Sequence, residues 1–531
     1  MTAQAVGEMH ASLEGGPDDY GQFRIAGGVG DDDQWLRIDG VGTHTNGYRD
    51  ATGHDEQKLN VTHHTTVGDF DVHTLLTGTN LNQETGGFVG GYEAYDSSRL
   101  RRTNPNPEAY RDAWSTRLTS AWVRQFDDGL ELTLTPYVRK SRMKFLQHFL
   151  PGQPYEENSQ TSAGTQASLS GGDVFEWRIG AMVEWAEGDL YEYQDNPATG
   201  SAFIVATRPV GVHYDYEVTS QNAALYYDVR WSLTDDIDLV HSARAEWLDY
   251  EYDNQSLDGN TRDDGTACGF GGCLYTRPAD RSDDFVDFAG RVGLEWRHAS
   301  HLQSYALLSS GFRAPQATEL YRLQSGQAVA DLDSERITGV ELGVRGTGEQ
   351  RGGAVWVFSQ RSEDLVLRDA NGYNISGGKI DSVGIEFEAT YVASTAHAFD
   401  VAGTYARHTY AFDRVLAQGE TIEDGNDVDT APRWIGSARW RWQPMEKFTS
   451  EVEWVYLGKH YVNAENTADY AGHSLWNWRG TYRVRSNVEL FARVMNLRDT
   501  NYADRADYAF GNYRYFPGTP AALYAGFDIT L

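Results

Sequence analysis

Apolar residues recur at every second position along most of this chain, while helical 3.6 periodicity is scarce. A period of two places successive side chains on opposite faces of a strand. In the segment 130–139, Leu130, Leu132, Leu134 and Val138 share one face, and Glu131, Thr133, Thr135 and Arg139 the other. Further along, Val286, Phe288, Val292, Leu294 and Trp296 oppose Asp287, Arg291, Glu295 and Arg297. The same holds for Val383, Ile385, Phe387, Ala389 and Tyr391, and for Trp434, Ala438, Trp440 and Trp442 against Arg439 and Arg441. Strands, not helices, must carry this chain. No run of ~18 apolar residues exists, so a membrane-spanning helix is excluded, but a membrane strand needs only ~9–11 alternating residues.

The connections sort into two kinds. Short polar turns stand at 30–34, 67–69, 127–129, 171–173, 234–236, 299–301, 394–397, 443–447 and 485–487. Between them lie long loops, such as 81–112, 141–158, 186–213, 253–283, 313–333, 412–429 and 497–519. Hairpins bounded this way number about 11, giving an even count of about 22 strands of ~10–14 residues. The expected fold is all-β: a transmembrane antiparallel β-barrel with short periplasmic turns and long extracellular loops. A soluble sandwich or propeller also alternates, but its turns do not separate into short and long sets. Register is fixed by energy: a one-residue slip would turn Arg439 and Arg441 to lipid, at roughly 2–4 kcal/mol each near the midplane. Trp434, Trp442, Trp476, Trp478 and Tyr482 fit interfacial girdles.

The formal net charge is −32, which repels phosphate and argues against nucleic acid as a partner. The first residues, MTAQAVGEMH, carry neither the basic nor the apolar region of a signal peptide. Cys268 and Cys273, in CGFGGC, suit a small loop disulfide in an oxidising compartment. With no His nearby they do not suggest zinc.

Three segments resemble TonB-dependent outer-membrane receptors. Residues 309–346 hold Gly311–Pro315 (GFRAP), Glu319–Tyr321 (ELY), Leu332–Glu335 and Glu341–Gly343. The C-terminal segment holds Asn496-Leu-x-Asp499, Tyr502, Pro517-Gly-x-Pro520 and a terminal strand, and 86–114 is similar to a long outer loop. The resemblance implies uptake of a scarce nutrient, most often a ferric siderophore, by extracellular capture and TonB-driven passage. Such receptors also carry a plug and a TonB-engaging box, and neither is expected within this sequence. The expectation is a single barrel domain over 1–531, its first strand near 7–13 and its closing strand near 521–531, with no plug domain. TonB would then act through a plug supplied otherwise. Tyr524, Gly526, Ile529 and Leu531 are similar to the terminal signal read by the barrel assembly machinery. Leu523, Ala525, Phe527, Ile529 and Leu531 would face lipid, and Tyr524, Asp528 and Thr530 a wet lumen.

Ligand class is weakly marked. The loop at 86–111 carries Phe88, Tyr92, Tyr95, Tyr110, Arg99, Arg101, Arg102 and Arg111. Guanidinium and aromatic groups together suit an anionic, aromatic ferric chelate. They equally suit snapping the loop onto the wall, or binding lipopolysaccharide phosphates. Phe149 and Tyr155 could add an aromatic wall beside Phe145. Arg313, Tyr321 and Arg322 stand at a strand end and its loop, where structural work by Arg313 competes with ligand contact. His63 and His64 alternate faces, so both cannot chelate one ion, and neither a resident metal nor a cofactor is expected. No Gly-x-Ser-x-Gly, His-Glu-x-x-His, P-loop or dinucleotide fingerprint appears, so an enzyme is not expected. The competing functions are a passive porin-like channel and a soluble β-rich glycan-binding adhesin.

Overall fold

The computed structural model describes residues 7–531 and shows 22 antiparallel strands closed into one barrel. Each strand pairs with its successor in the chain, and the first (His10–Gly15) pairs with the last (Ala522–Thr530), Leu13 lying opposite Phe527. Closure removes the free edge that a bare terminal strand would expose. Strands run from 6 to 22 residues, a wider spread than the pattern suggests.

All nine short turns read from sequence are present at one rim, joined by a tenth at 347–350. The opposite rim is less uniform. Connections 85–109, 195–210, 255–280, 314–334, 411–433, 458–472 and 496–521 are long, but 16–20, 46–53, 147–154 and 369–373 are brief. The expected loop at 141–158 is mostly strand, since Glu131–Leu146 and Tyr155–Gly171 run far beyond the apolar band. Their outward positions change there from Val138 to Lys140, Arg142 and Lys144, which reads as loop although the ladder continues.

That change measures the band. In the strand Phe175–Gln194 the outward residues are Phe175, Trp177, Ile179, Ala181, Val183 and Trp185, followed by Glu187 and Asp189. Ten intervals of ~3.4 Å at a tilt of ~40° give ~26 Å, the height of a membrane barrel's apolar belt. Phe288 (69% exposed) and Leu225 (68%) stand in that belt, a waste of apolar surface in water but not in lipid. Trp442 marks its lower edge and Trp434 its upper edge. Inside, Arg439 and Arg441 face the lumen as the register requires. Far from standing free, they join a ladder: Arg439–Glu453 2.9 Å, Arg479–Glu453 3.2 Å and Arg479–Glu451 3.0 Å.

At the seam, Gly526 is obligatory. A Cβ there would run into Leu13 O and meet the Phe491 ring at 2.5 Å. Beside it Arg493 bonds Glu14 (2.6 Å) and lies 4.3 Å from the centre of the Tyr524 ring, tying first and last strands within the lumen. Among the described residues, the clusters of buried apolar side chains are two, and both lie under the outer loops.

Candidate functional site

One cluster lies where loops 255–280 and 314–334 settle onto lumen-facing Leu190, Tyr214, Tyr216 and Tyr252. Its framework is the segment after Arg313. The helix Ala317–Tyr321 starts with a capping box, in which the Glu319 side chain returns to the Gln316 amide (2.7 Å). The Arg313 guanidinium donates to both Glu319 (3.0 and 3.1 Å) and Glu335 (2.6 and 2.7 Å), locking the helix to two strand ends. Tyr321, fully buried, stacks on Tyr252 at 4.4 Å and donates to Asp283 Oδ2 (2.8 Å). Burial pushes its hydroxyl pKa up, and Asp283 pushes it further. Arg322 reaches a closed polar pocket holding Glu156, Glu192 and Gln147. Burial opposes its charge, but Glu192 and Glu156 outweigh that and raise it above the ordinary arginine value.

Cys268 and Cys273 form a disulfide within this cluster and are buried, so the link does more than stiffen an exposed tip. A ring this small is worth about 2 kcal/mol in the chain-entropy account. Buried Arg277 secures the same loop by donating to Leu257 O (2.5 Å) and Thr261 O (2.9 Å).

The second cluster joins loops 85–109, 458–472 and 496–521 around Val89, Val462, Tyr470 and Tyr515. Tyr95 packs edge-on against Tyr470 (5.5 Å) and Tyr515 (4.9 Å) as part of that core. Arg49, from the turn 46–53, donates to Gly87 O (2.6 Å) and Thr103 O (2.8 Å) and so pins the long loop at both ends. Arg101 bonds Asn501, and Arg102 reaches Tyr48 O (3.4 Å).

The remaining sequence candidates divide. Tyr92 is 70% exposed beside Tyr513 (5.3 Å), and Phe88 lies under the Arg514 guanidinium at 5.0 Å. Arg99 and Phe149 are exposed. Arg111 faces the lumen opposite Phe145 and donates to Gln83 (2.9 Å). Tyr110 and Tyr155 face outward; Tyr155 lies by Tyr193 (5.9 Å), well beyond Trp185 at the upper edge of the apolar belt, on the outer surface of the wall above the membrane rather than in the mouth. In the segment 424–429, Asp427 pairs with Arg407 and Arg433, and Asp429 accepts from Tyr410.

Charge separates these groups most clearly. Arg313 and Arg322 are each held by two carboxylates. Arg99, Arg101, Arg102 and Arg111 have no carboxylate within 4.0 Å among the described residues. Sequence reasoning missed Arg49, the Glu156–Glu192 pocket and the exposed Phe203–Phe270 pair (5.5 Å). All depend on contacts between loops distant in sequence. Only Phe270, between two cysteines and three glycines, had a local cue.

Residues 28–497 match the family described as TonB dependent receptor-like, beta-barrel. Over 221 residues the chain is 26% identical to the vitamin B12 transporter BtuB of Photobacterium profundum, covering 41% of this chain and 35% of that protein. The chain thus spans about a third of the curated relative it matches. The ferric-catecholate import receptor Fiu of E. coli K12 superposes with TM-score 0.79 at 15% identity, over 99% of this chain and 82% of its own. For the siderophore receptor PiuA of Acinetobacter baumannii the values are 0.81, 11%, 99% and 82%. Proteins of this kind are outer-membrane transport receptors that work with TonB, and the 22-strand closure and the ~26 Å belt agree with an outer-membrane barrel. The chain belongs to the TonB-dependent receptors, as the β-barrel of that outer-membrane family.

Proposed function

We propose that this barrel captures an anionic ferric chelate at its outer mouth for TonB-dependent uptake. One observation carries the reading: Arg99, Arg101 and Arg102 have no carboxylate partner among the described residues and share the outer loop 85–109 with the exposed Tyr92, on a chain whose net charge is −32. Arg313 and Arg322 are neutralised by carboxylates, and Arg49 and Arg277 are spent on backbone carbonyls, whereas Arg99 and Arg111 keep donors available for a ligand. A delocalised guanidinium beside an aromatic face suits a chelate bearing carboxylates or phenolates. Fiu and PiuA, which share the fold, are named for ferric-catecholate and siderophore reception, and this favours iron over the cobalamin of the BtuB name. Residues 7–531 supply the wall and the capture surface, while coupling to TonB is a property of the whole receptor.

The test is growth and radiolabelled iron uptake under iron limitation, with a catecholate, a hydroxamate and citrate offered separately to cells making the complete receptor. One chelate is expected to support growth, and Arg111→Gln to weaken its binding about tenfold, the worth of one charge-assisted hydrogen bond. Failure of every chelate would end the siderophore reading. A large, constant conductance in planar bilayers would favour a passive channel instead.

A further inference from the structure

At the other end of the lumen a second constellation is unrelated to the loop mouth. The hairpin His54–Val67 and Phe70–Glu84 turns in two residues, which sets His64 directly opposite His73. Asp71 lies two residues before His73, on the same inward face. His64 Nδ1 is 3.1 Å from Asp71 Oδ1, and His73 Nε2 is 3.4 Å from the same oxygen. The two rings lie 4.4 Å apart, and Trp35, opposite His64 on the preceding strand, stacks over the His64 ring at 5.6 Å.

We propose that His64, His73 and Asp71 form a binding site for a transition-metal dication, Zn²⁺ or Cu²⁺ in class, at the periplasmic end of the lumen. Two imidazoles and one carboxylate are the donor set such ions take, whereas Ca²⁺ and Mg²⁺ prefer oxygen. The spacing is already that of a coordination sphere. With ligand bonds of ~2.0–2.1 Å, the edge of a tetrahedron is about 3.3 Å, between the two N–O separations found. All three ligand atoms lie within 4.8 Å of one another, so the imidazoles need only a small approach to complete the face.

Hydrogen bonding alone does not account for this arrangement. His64 is 12% exposed, and its Nδ1 is sealed from solvent. Despite the 3.1 Å separation, that nitrogen is not aligned for a hydrogen bond and has no partner among the described residues. A buried polar atom without a partner carries a cost that an ion at the centre of the triad would remove. Trp35 holds the His64 ring in place, while His73 and Asp71 are about half exposed and face the lumen. A fourth position is therefore open to water, or to a donor group on whatever occupies or crosses the lumen.

The test uses the full chain in detergent micelles, titrated calorimetrically with Zn²⁺ and spectroscopically with Co²⁺. One ion per chain is expected, with the Co²⁺ absorption of a four-coordinate N₂O₂ site (two imidazoles, the carboxylate and a water) and release of protons on binding. His64→Ala, His73→Ala and Asp71→Asn should each weaken Zn²⁺ by more than the roughly 10–100-fold that loss of a supporting partner costs. Trp35→Ala should fall within that range. His63→Ala, on the outward face, should leave affinity unchanged, and heat-modifiable gel migration confirms that each variant is folded. Absence of stoichiometric binding by the unaltered chain overturns the proposal without reference to any variant. Binding that survives all three ligand substitutions, or that His63→Ala weakens equally, overturns it as well.

Discussion

Replacing Arg322 with Ala is expected to destabilise the extracellular layer by about 3–5 kcal/mol while leaving the barrel closed. The guanidinium lies 2.7 Å from Glu156 and also binds Glu192, two carboxylates whose side chains are only 6% and 2% exposed. Gln147 donates to both, at 2.8 and 3.2 Å, and His213 Nδ1 is 3.0 Å from Glu192. Without Arg322 two like charges would share a closed pocket, and Gln147, a neutral amide, cannot replace the lost charge. Breaking such a pair costs far more than the pair contributes when intact. Because Arg322 directly follows the helix Ala317–Tyr321, the structure lost is the docking of loop 314–334, not a ladder of strands. At 1.4 kcal/mol per decade, proteolysis of that loop should rise at least ~100-fold. Strand content and heat-modifiable migration should persist. Adding Glu192→Gln to Arg322→Ala should restore part of the resistance, since the repulsion then disappears. Unchanged proteolysis of Arg322→Ala would show that the network carries no strain of this kind.

Arg322 also shows what local pattern can and cannot reveal. Its place beside a strand end and Glu319-Leu-Tyr321 is visible from the resemblance, but not its partners, which are 166 and 130 residues distant along the chain (322 − 156 and 322 − 192). The wall is far more legible, because a period of two and a two-residue turn are local properties. Gly526 and Tyr524 belong to a terminal pattern, yet their cause lies on the two strands that flank the closing one, in Phe491 and Arg493 on one side and Glu14 on the other.

Sequence and structure part where hydropathy loses its meaning. Arg142 and Lys144 continue a strand above the membrane, where nothing demands an apolar outward face, so the strand resembles a loop. Tyr110 and Tyr155 consequently look like ligand candidates, although the register turns both outward. The histidines illustrate the opposite case. Compared along one strand, His63 and His64 are correctly set aside as a pair. The turn at 67–69 is itself legible, and counting outward from it puts His64 opposite His73. The constellation is available to arithmetic across the hairpin.

Leu225→Arg should destabilise the barrel wall itself, by roughly 2–4 kcal/mol, whereas Gln166→Arg should cost little. Both positions lie at similar depth. Ala181 joins Leu225 to the outward face of the strand Phe175–Gln194, and Met182, next along that strand, lies opposite Gln166 on the lumen side. Leu225 points outward, with Ile179 and Val183 as apolar neighbours in the belt. Gln166 points inward and donates to the Tyr226 hydroxyl (2.6 Å) in the polar lumen. The same guanidinium is therefore placed once in hydrocarbon and once in water, with strand propensity and side-chain size held constant. Near the midplane the chain is too short to snorkel fully to either interface, so the lipid-facing variant bears most of the transfer cost. Denaturant unfolding in lipid vesicles, followed by tryptophan fluorescence, should show a lower midpoint for Leu225→Arg and almost none of that shift for Gln166→Arg. Equal shifts would contradict the assignment of faces, and with it the register on which every lumen-facing residue of the barrel depends.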